Sequence, residues 1–161
     1  ILNIYYMFRS SDNKYDRKPN GNKSNVLQLT GINFKNNKVT HKSLKNKFGL
    51  LKVYAPWCGY CTQMVNDINF IADELKSVDF VVSALNYENS EKCKEACRNI
   101  GVKSFPSMFM ISKEGKLENI SEIIGNRSIE SILDVICKKT NEYSNNNGKC
   151  CKKTGNRIVC K

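Results

Sequence analysis

The chain predicts an α/β fold, a central mixed β-sheet flanked by α-helices. Three observations carry that prediction. An apolar run at 50–55 leads straight into a stretch with helical spacing. A β-branched run at 78–85 is followed by a second helical stretch near 91–100. A third apolar strand starts directly after Pro106 and gives way to a hairpin turn and a last amphipathic helix. Strands alternating with helices, closed by a hairpin, are the pattern of a sheet covered by helices. The 161 residues suffice for one such domain with extensions and for a real core.

Each element has a local reason. Residues 1–25 form an N-terminal arm or flexible lead-in. Residues 1–8 are apolar but far too few to span a bilayer. They read as the trimmed end of a signal or anchor segment, or equally as a short docked arm. Membrane contact is expected only in the first case. Residues 9–25 are polar, rich in Asn, Lys and Ser, and read as flexible chain. The domain proper is expected over residues 26–140. It opens with a short strand at 26–29 and a loop at 33–38. Thr40 caps a short helix at 41–47, with Leu44 and Phe48 as its apolar contacts. Residues 50–55 are the central strand. After them Val65, Ile68, Ile71, Ala72 and Leu75 share one helical face. Asn89 and Ser90 offer a cap for the helix at 91–100. Lys113 to Lys116 make a hairpin turn, 117–124 the last strand, and 128–140 the last helix, with Ile129, Ile132, Leu133, Val135 and Ile136 as its apolar positions. Residues 141–161 are a cysteine-rich C-terminal tail, a linker at 145–148 and then a small hairpin turning near Gly155.

The chemistry is concentrated where the central strand ends. Pro56 and Trp57 are followed by Cys58-Gly59-Tyr60-Cys61 and then by a helix. The first N–H groups of a helix lack partners within it, and its dipole places positive charge there. Both favour a thiolate at Cys58, the first of the pair, and make it the attacking nucleophile. Cys61 follows about one turn later, within reach of a disulfide to it. Cys58 then attacks a disulfide in a client, and Cys61 attacks back to release the mixed disulfide. A pair at this spacing also serves zinc sites, but the preceding strand, the Trp and the following helix favour redox chemistry.

Eight cysteines are many for a reducing cytosol. They point to an oxidising compartment, namely the secretory pathway, the exterior, or the virion of a large DNA virus. The net charge of +11 rests mainly on scattered lysines. With no basic motif interleaved with aromatics, it reads as a solvated surface, and specific nucleic-acid binding is not expected. His41 is the only histidine and stands without a second ligand at metal-site spacing. It reads as an exposed helix residue; no cofactor and no metal are expected. Cys93 and Cys97 lie four residues apart on one helical face, slightly too far for an easy bridge. They are free, strained or paired elsewhere, or serve as small buried apolar residues. Cys137, Cys150, Cys151 and Cys160 are structural-disulfide candidates that could staple the tail to the domain in two bridges. A disulfide relay to Cys58–Cys61 ranks second and a zinc site third.

Tyr54-Ala55-Pro56-Trp57-Cys58-Gly59-x-Cys61 resembles the thioredoxin superfamily, and most closely the catalytic domains of protein disulfide isomerases. Phe105-Pro106-Ser107 resembles the second signature of that superfamily. The resemblance implies a thioredoxin-like fold over most of the chain but not its two ends. It implies a cis Pro106 packed against the cysteine pair. It implies a client-binding surface from Trp57, Gly59, Tyr60, Phe105 and Pro106. Arg127, in Gly125-Asn126-Arg127, matches an Arg that favours the thiolate of the second cysteine. Cys97 lies where some isomerase domains keep a structural cysteine. Two departures matter. Tyr60 stands where thioredoxins have Pro and isomerases usually have His. Lys52, six residues before Cys58, stands where the family usually buries an acid; if buried it is either neutral or a pKa-tuning positive charge that lowers nearby thiols, and if snorkelled to the surface it leaves the acid simply lost. The implied function is a thiol–disulfide oxidoreductase that forms or isomerises disulfides in protein substrates and works with a further, unidentified redox partner. The alternatives are a thioredoxin-like reductase and a redox-silent binding or structural module.

Overall fold

The structure, a computed structural model, describes residues 15, 18, 20–143, 151–154 and 157–160, with side chains as far as 141. Its elements in chain order are β1 (Leu27–Leu29), β2 (Phe34–Lys35), β3 (Lys38–Val39), β4 (Phe48–Tyr54), α1 (Gly59–Gln63), α2 (Val65–Leu75), β5 (Phe80–Asn86), α3 (Glu91–Asn99), β6 (Ser107–Ile111), β7 (Leu117–Asn119), α4 (Ile129–Tyr143), β8 (Cys151–Thr154) and β9 (Arg157–Cys160). Five strands form the mixed sheet in the order β1-β5-β4-β6-β7. β1, β5 and β4 run parallel; β6 runs antiparallel to β4, and β7 antiparallel to β6.

β4 is central and all seven of its residues are buried. Side chains alternate between the two faces of a strand. Leu50 and Tyr54 join the core under α2 and α4, with Ile68, Ile71, Leu75, Ile132 and Ile136. Leu51 and Val53 join the other face, with Phe109, Cys93 and Cys97 of α3. Each such aliphatic side chain, fully buried, contributes about 1.5–3 kcal/mol. Lys52 shares the face of Leu50 and Tyr54 and is fully buried.

Close packing on the α3 face hinges on Gly31. A Cβ there would lie 2.3 Å from the carbonyl carbon of Lys92. The Gly31 N–H donates to Cys93 Sγ at 3.2 Å. Gly31→Ala is expected to destabilise the domain by about 1–3 kcal/mol, because helix backbone cannot yield as a side-chain tip can. Urea unfolding checks this.

Cys93 and Cys97 are buried thiols. Of the readings open to them, that of small apolar core residues describes them, and no bridge joins them. Burial pushes the Cys97 thiol up to about 12, with Cys93 adding to the rise and Arg98 opposing it. The unfolded chain therefore releases this proton first, and the folded state binds more protons at alkaline pH. Stability of the reduced protein is expected to fall between about pH 8.5 and 12, by at most about 1.4 kcal/mol per pH unit from this thiol. Denaturant melts across that range check it, and Cys97→Ala is expected to flatten the slope.

Several sequence expectations change in detail. The short helix at 41–47 is a single 3₁₀ turn, Lys42–Leu44. His41 rather than Thr40 caps it, its Nδ1 accepting from the Ser43 N–H at 3.1 Å. His41 is half-buried rather than exposed, and Phe48 already belongs to β4. The loop at 33–38 is a small hairpin of β2 and β3, turned by Asn36 and Asn37, both at positive φ. The last strand stops at Asn119. There the Asn119 side chain accepts from the Ser121 N–H at 2.9 Å, and Ile124 N–H bonds Ile120 O. The chain turns, and between the buried Ile120 and Ile124 both Glu122 and Ile123 are exposed, which breaks a strand's alternation.

The lead-in supplies core. Tyr15 is buried edge-on to Tyr54, ring centroids 5.4 Å apart. Ser24 Oγ donates to Asn69 of α2 at 2.6 Å, and Lys18 and Asn25 both reach Asp73. Residues 1–8, the linker at 145–148 and Cys150 lie outside the described residues. The expected tail hairpin is present as β8 and β9, which lie against α4 and α2 and pair Cys151 with Cys160 in register. Among the described residues no helix is long and apolar enough to cross a membrane, and no group of His, Cys, Asp and Glu side chains could hold a metal.

Candidate redox-active site

Three segments meet at one end of the sheet. β4 ends at Tyr54, in register with Asn86 at the end of β5. β6 begins at Ser107, opposite Val53. The loops leaving β4 and β5 and the loop entering β6 therefore share one edge. In parallel sheets that carboxyl edge is where sites gather.

The loop after β4 is a turn. Pro56 presets its second position, and the Cys58 N–H closes it on the Ala55 carbonyl at 3.0 Å. Cys58 then caps α1. Its backbone is extended, and its Sγ accepts from the Cys61 N–H at 3.3 Å. The Cys58 carbonyl accepts from the Thr62 N–H and hydroxyl, each at 3.2 Å. α1 and α2 are separated only at Met64. The sulfur thus stands where a capping oxygen commonly stands, at unsatisfied helix donors.

The two cysteines differ. Cys61 is fully buried, whereas Cys58 keeps 7% exposure between three exposed residues, Trp57, Gly59 and Tyr60. Burial pushes the Cys61 thiol up to about 12, and Cys58 adds to the rise. A backbone hydrogen bond at Ala55 and the charge of Lys52 pull the other way. Cys58 is the reachable sulfur, and Cys61 the protected one behind it.

Lys52 does not snorkel. Its Nζ donates to Tyr15 Oη at 2.6 Å and to the Cys61 carbonyl at 2.9 Å, and lies 5.2 Å from the Tyr15 ring centroid. Burial and its neighbours Tyr54 and Cys61 hold the Tyr15 hydroxyl well above the usual phenol range.

The loop entering β6 carries a cis peptide bond between Phe105 and Pro106, as the resemblance implies. Pro106 is buried and Phe105 half-buried. The Phe105 ring meets the Trp57 edge at 5.7 Å and 90°, and Tyr87 at 5.1 Å. Trp57 Nε1 donates to Glu88 Oε1 at 3.3 Å. Lys94 of α3 lies 3.4 Å from Glu88 and over the Tyr87 ring. An aromatic surface of Trp57, Phe105 and Tyr87 therefore borders the cysteine pair, with an acid fixing the exposed indole.

Arg127 is half-buried at φ 58° in the turn before α4. Sequence reasoning missed Tyr15, Tyr87 and Glu88. Tyr15 sits in a polar, low-complexity stretch, where one aromatic among Asn and Lys was the only signal. Tyr87 and Glu88 directly follow a strand in register with the redox strand, which is the signal that could have found them.

A sequence model of the thioredoxin family matches residues 25–138. A protein disulfide-isomerase of Ricinus communis is 33% identical over 122 residues, 75% of this chain and 23% of that protein. That of Datisca glomerata is 30% identical over 141 residues, 87% of this chain and 26% of that protein. This chain thus spans about a quarter of the length of these curated relatives. Among solved structures, the first thioredoxin domain of mouse protein disulfide-isomerase A4 is similar at TM-score 0.56 and 25% identity, covering 71% of this chain and 74% of that one. The Trx4 domain of ERdj5 is similar at TM-score 0.58 and 18% identity, covering 74% and 98%.

Proposed function

This chain belongs to the thioredoxin family, and from that premise we propose that it forms or isomerises disulfides in protein clients. Cys58 is the nucleophile and Cys61 the resolving thiol. The observation that carries the reading is the asymmetry of the pair: a reachable sulfur at the helix start, a fully buried one behind it. The relatives named protein disulfide-isomerase support the same chemistry.

The cycle balances. The Cys58 thiolate attacks a client disulfide, forming a mixed disulfide and expelling one client thiolate. Cys61 gives up its proton to solvent and attacks Cys58 Sγ. The bond between Cys58 and the client breaks, the Cys58–Cys61 disulfide forms, and a second client thiolate leaves. Two electrons pass to the client, and each leaving thiolate takes a proton from water. Run backwards, the same steps oxidise the client. Stopped after the first step, they reshuffle it.

Client chain docks along Trp57, Gly59, Tyr60, Phe105 and Pro106, where the aromatic rings give apolar contact. The backbone beside Pro106 offers strand-like pairing to an extended segment. Arg127 tunes Cys61 when the preceding turn moves. An oxidising compartment suits the eight cysteines. Cys137, Cys150, Cys151 and Cys160 serve as structural bridges, and the register that pairs Cys151 with Cys160 favours one between these two. Reactivation of scrambled ribonuclease by the wild-type protein tests the function. Recovery in a glutathione buffer supports it; insulin reduction without ribonuclease recovery favours a reductase instead.

A further inference from the structure

We propose that Lys52, anchored by Tyr15, is the positioning residue that arms Cys61 for its attack on the mixed disulfide. This rests on the oxidoreductase reading above and deepens it. A lysine in the core costs far more than an apolar side chain of equal length. Here it is fully buried on β4, paired in register with Ala84 on one side and Met108 on the other. Its Nζ reaches the carbonyl of Cys61 itself, 2.9 Å away. Tyr15, fixed against Tyr54, holds Nζ from the other side at 2.6 Å. The lysine therefore cannot withdraw to solvent, and its charge stays beside the resolving cysteine.

Among the described groups that act on Cys61 or on Tyr15, no other supplies this charge. Cys58 faces Cys61 from the start of α1, Tyr54 comes from β4 and Tyr15 from the N-terminal stretch. Each becomes an anion on ionising and opposes the Cys61 thiolate. α2 and α4 contribute apolar residues to this core, among them Ile68, Ile71, Ile132 and Ile136. Burial holds the Cys61 proton on, and the resolving step needs it off. A buried cation favours the thiolate by direct attraction. Against the rise from burial and from Cys58, a backbone hydrogen bond at Ala55 lowers Cys61, and Lys52 is the side chain that lowers it further. The proton goes to solvent.

The magnitude follows from thiol chemistry. Raising the resolving thiol by one pH unit cuts its thiolate tenfold. The greater nucleophilicity of the more basic thiolate restores part of that, leaving a loss of about threefold. Lys52→Met keeps length and apolar bulk and removes the cation. It is expected to slow resolution about three- to tenfold and leave capture by Cys58 unchanged. Its resolution–pH profile is expected to lie to the alkaline side of the wild-type profile. Tyr15→Phe keeps the ring and removes the oxygen that anchors Nζ; the same shift is expected, but smaller.

The test is rapid mixing of the reduced full chain with a fluorescent peptide closed by one disulfide. Acid quenching at intervals from pH 6 to pH 10 separates capture from release. Slower release at unchanged capture, with the profile displaced in Lys52→Met, supports the inference. Release and profiles equal to wild type in both variants overturn it and leave the oxidoreductase reading standing. So does an equal slowing of capture and release, which is what structural damage alone produces. Failure of the wild-type protein to capture the peptide at all overturns the underlying reading instead. If Lys52→Met does not fold, judged by its thermal melt, Tyr15→Phe decides the matter by the same criteria.

Discussion

Cys58→Ser is expected to reduce disulfide exchange with protein clients to the uncatalysed background, in both the reducing and the oxidising direction. The loss is total because the hydroxyl of serine is neither a thiolate nor a partner for a disulfide, and no other described cysteine can replace it. Cys93 and Cys97 are buried on the far face of the sheet, among Leu51, Val53 and Phe109. Cys61 is fully enclosed. Structure is expected to survive, since serine can also cap the first helix through its oxygen, and N-cap serines stabilise rather than cost. Insulin reduction and ribonuclease reactivation, run beside a thermal melt, check both halves. Unchanged cellular function in the variant would instead favour a redox-silent binding module.

Phe109→Ala is expected to have the largest effect on stability, a loss of about 3–5 kcal/mol. Phe109 is almost wholly buried on β6, in register with Leu51 of the central strand. It closes the core between the sheet and α3, where backbone positions such as Gly31 are already in tight contact. Little can collapse into the space it would leave. Since domains of this kind hold only about 5–15 kcal/mol in total, the variant is expected to unfold at markedly lower urea. β6 also carries the segment that follows Pro106. Disulfide exchange is therefore expected to fall in step with the folded fraction, not before it. An exchange loss well ahead of unfolding would mean that Phe109 acts on the site directly.

The sequence revealed most where one signal sufficed. The alternation of a fully buried strand, a proline, a tryptophan and two cysteines placed the redox pair at a strand-to-helix junction, and Cys58 caps a helix there. The face of Val65, Ile68, Ile71, Ala72 and Leu75 was legible from its 3.6-residue spacing; only Val65 is less than buried. What escaped was long-range. Tyr15 becomes core because Tyr54 and Lys52 meet it across the fold, and nothing near residue 15 announces this. Lys52 could be buried or snorkelled by sequence alone, since its stem is apolar and its head charged. Only the positions of Tyr15 and the Cys61 carbonyl decide the matter. The last strand was over-extended because Ile120, Ile123 and Ile124 look like strand residues, whereas the side chain of Asn119 turns the chain before them. Local propensity yielded there to a side-chain hydrogen bond.

The most direct measurement is capture by the resolving-site variant. Cys61→Ser, incubated with a scrambled client and quenched in acid, is expected to accumulate a mixed disulfide, because nothing then releases the client. Peptide mapping by mass spectrometry is expected to place the client on Cys58. Attachment through Cys93, Cys97 or a tail cysteine, or no attachment at all, would contradict a mechanism in which Cys58 attacks and Cys61 resolves.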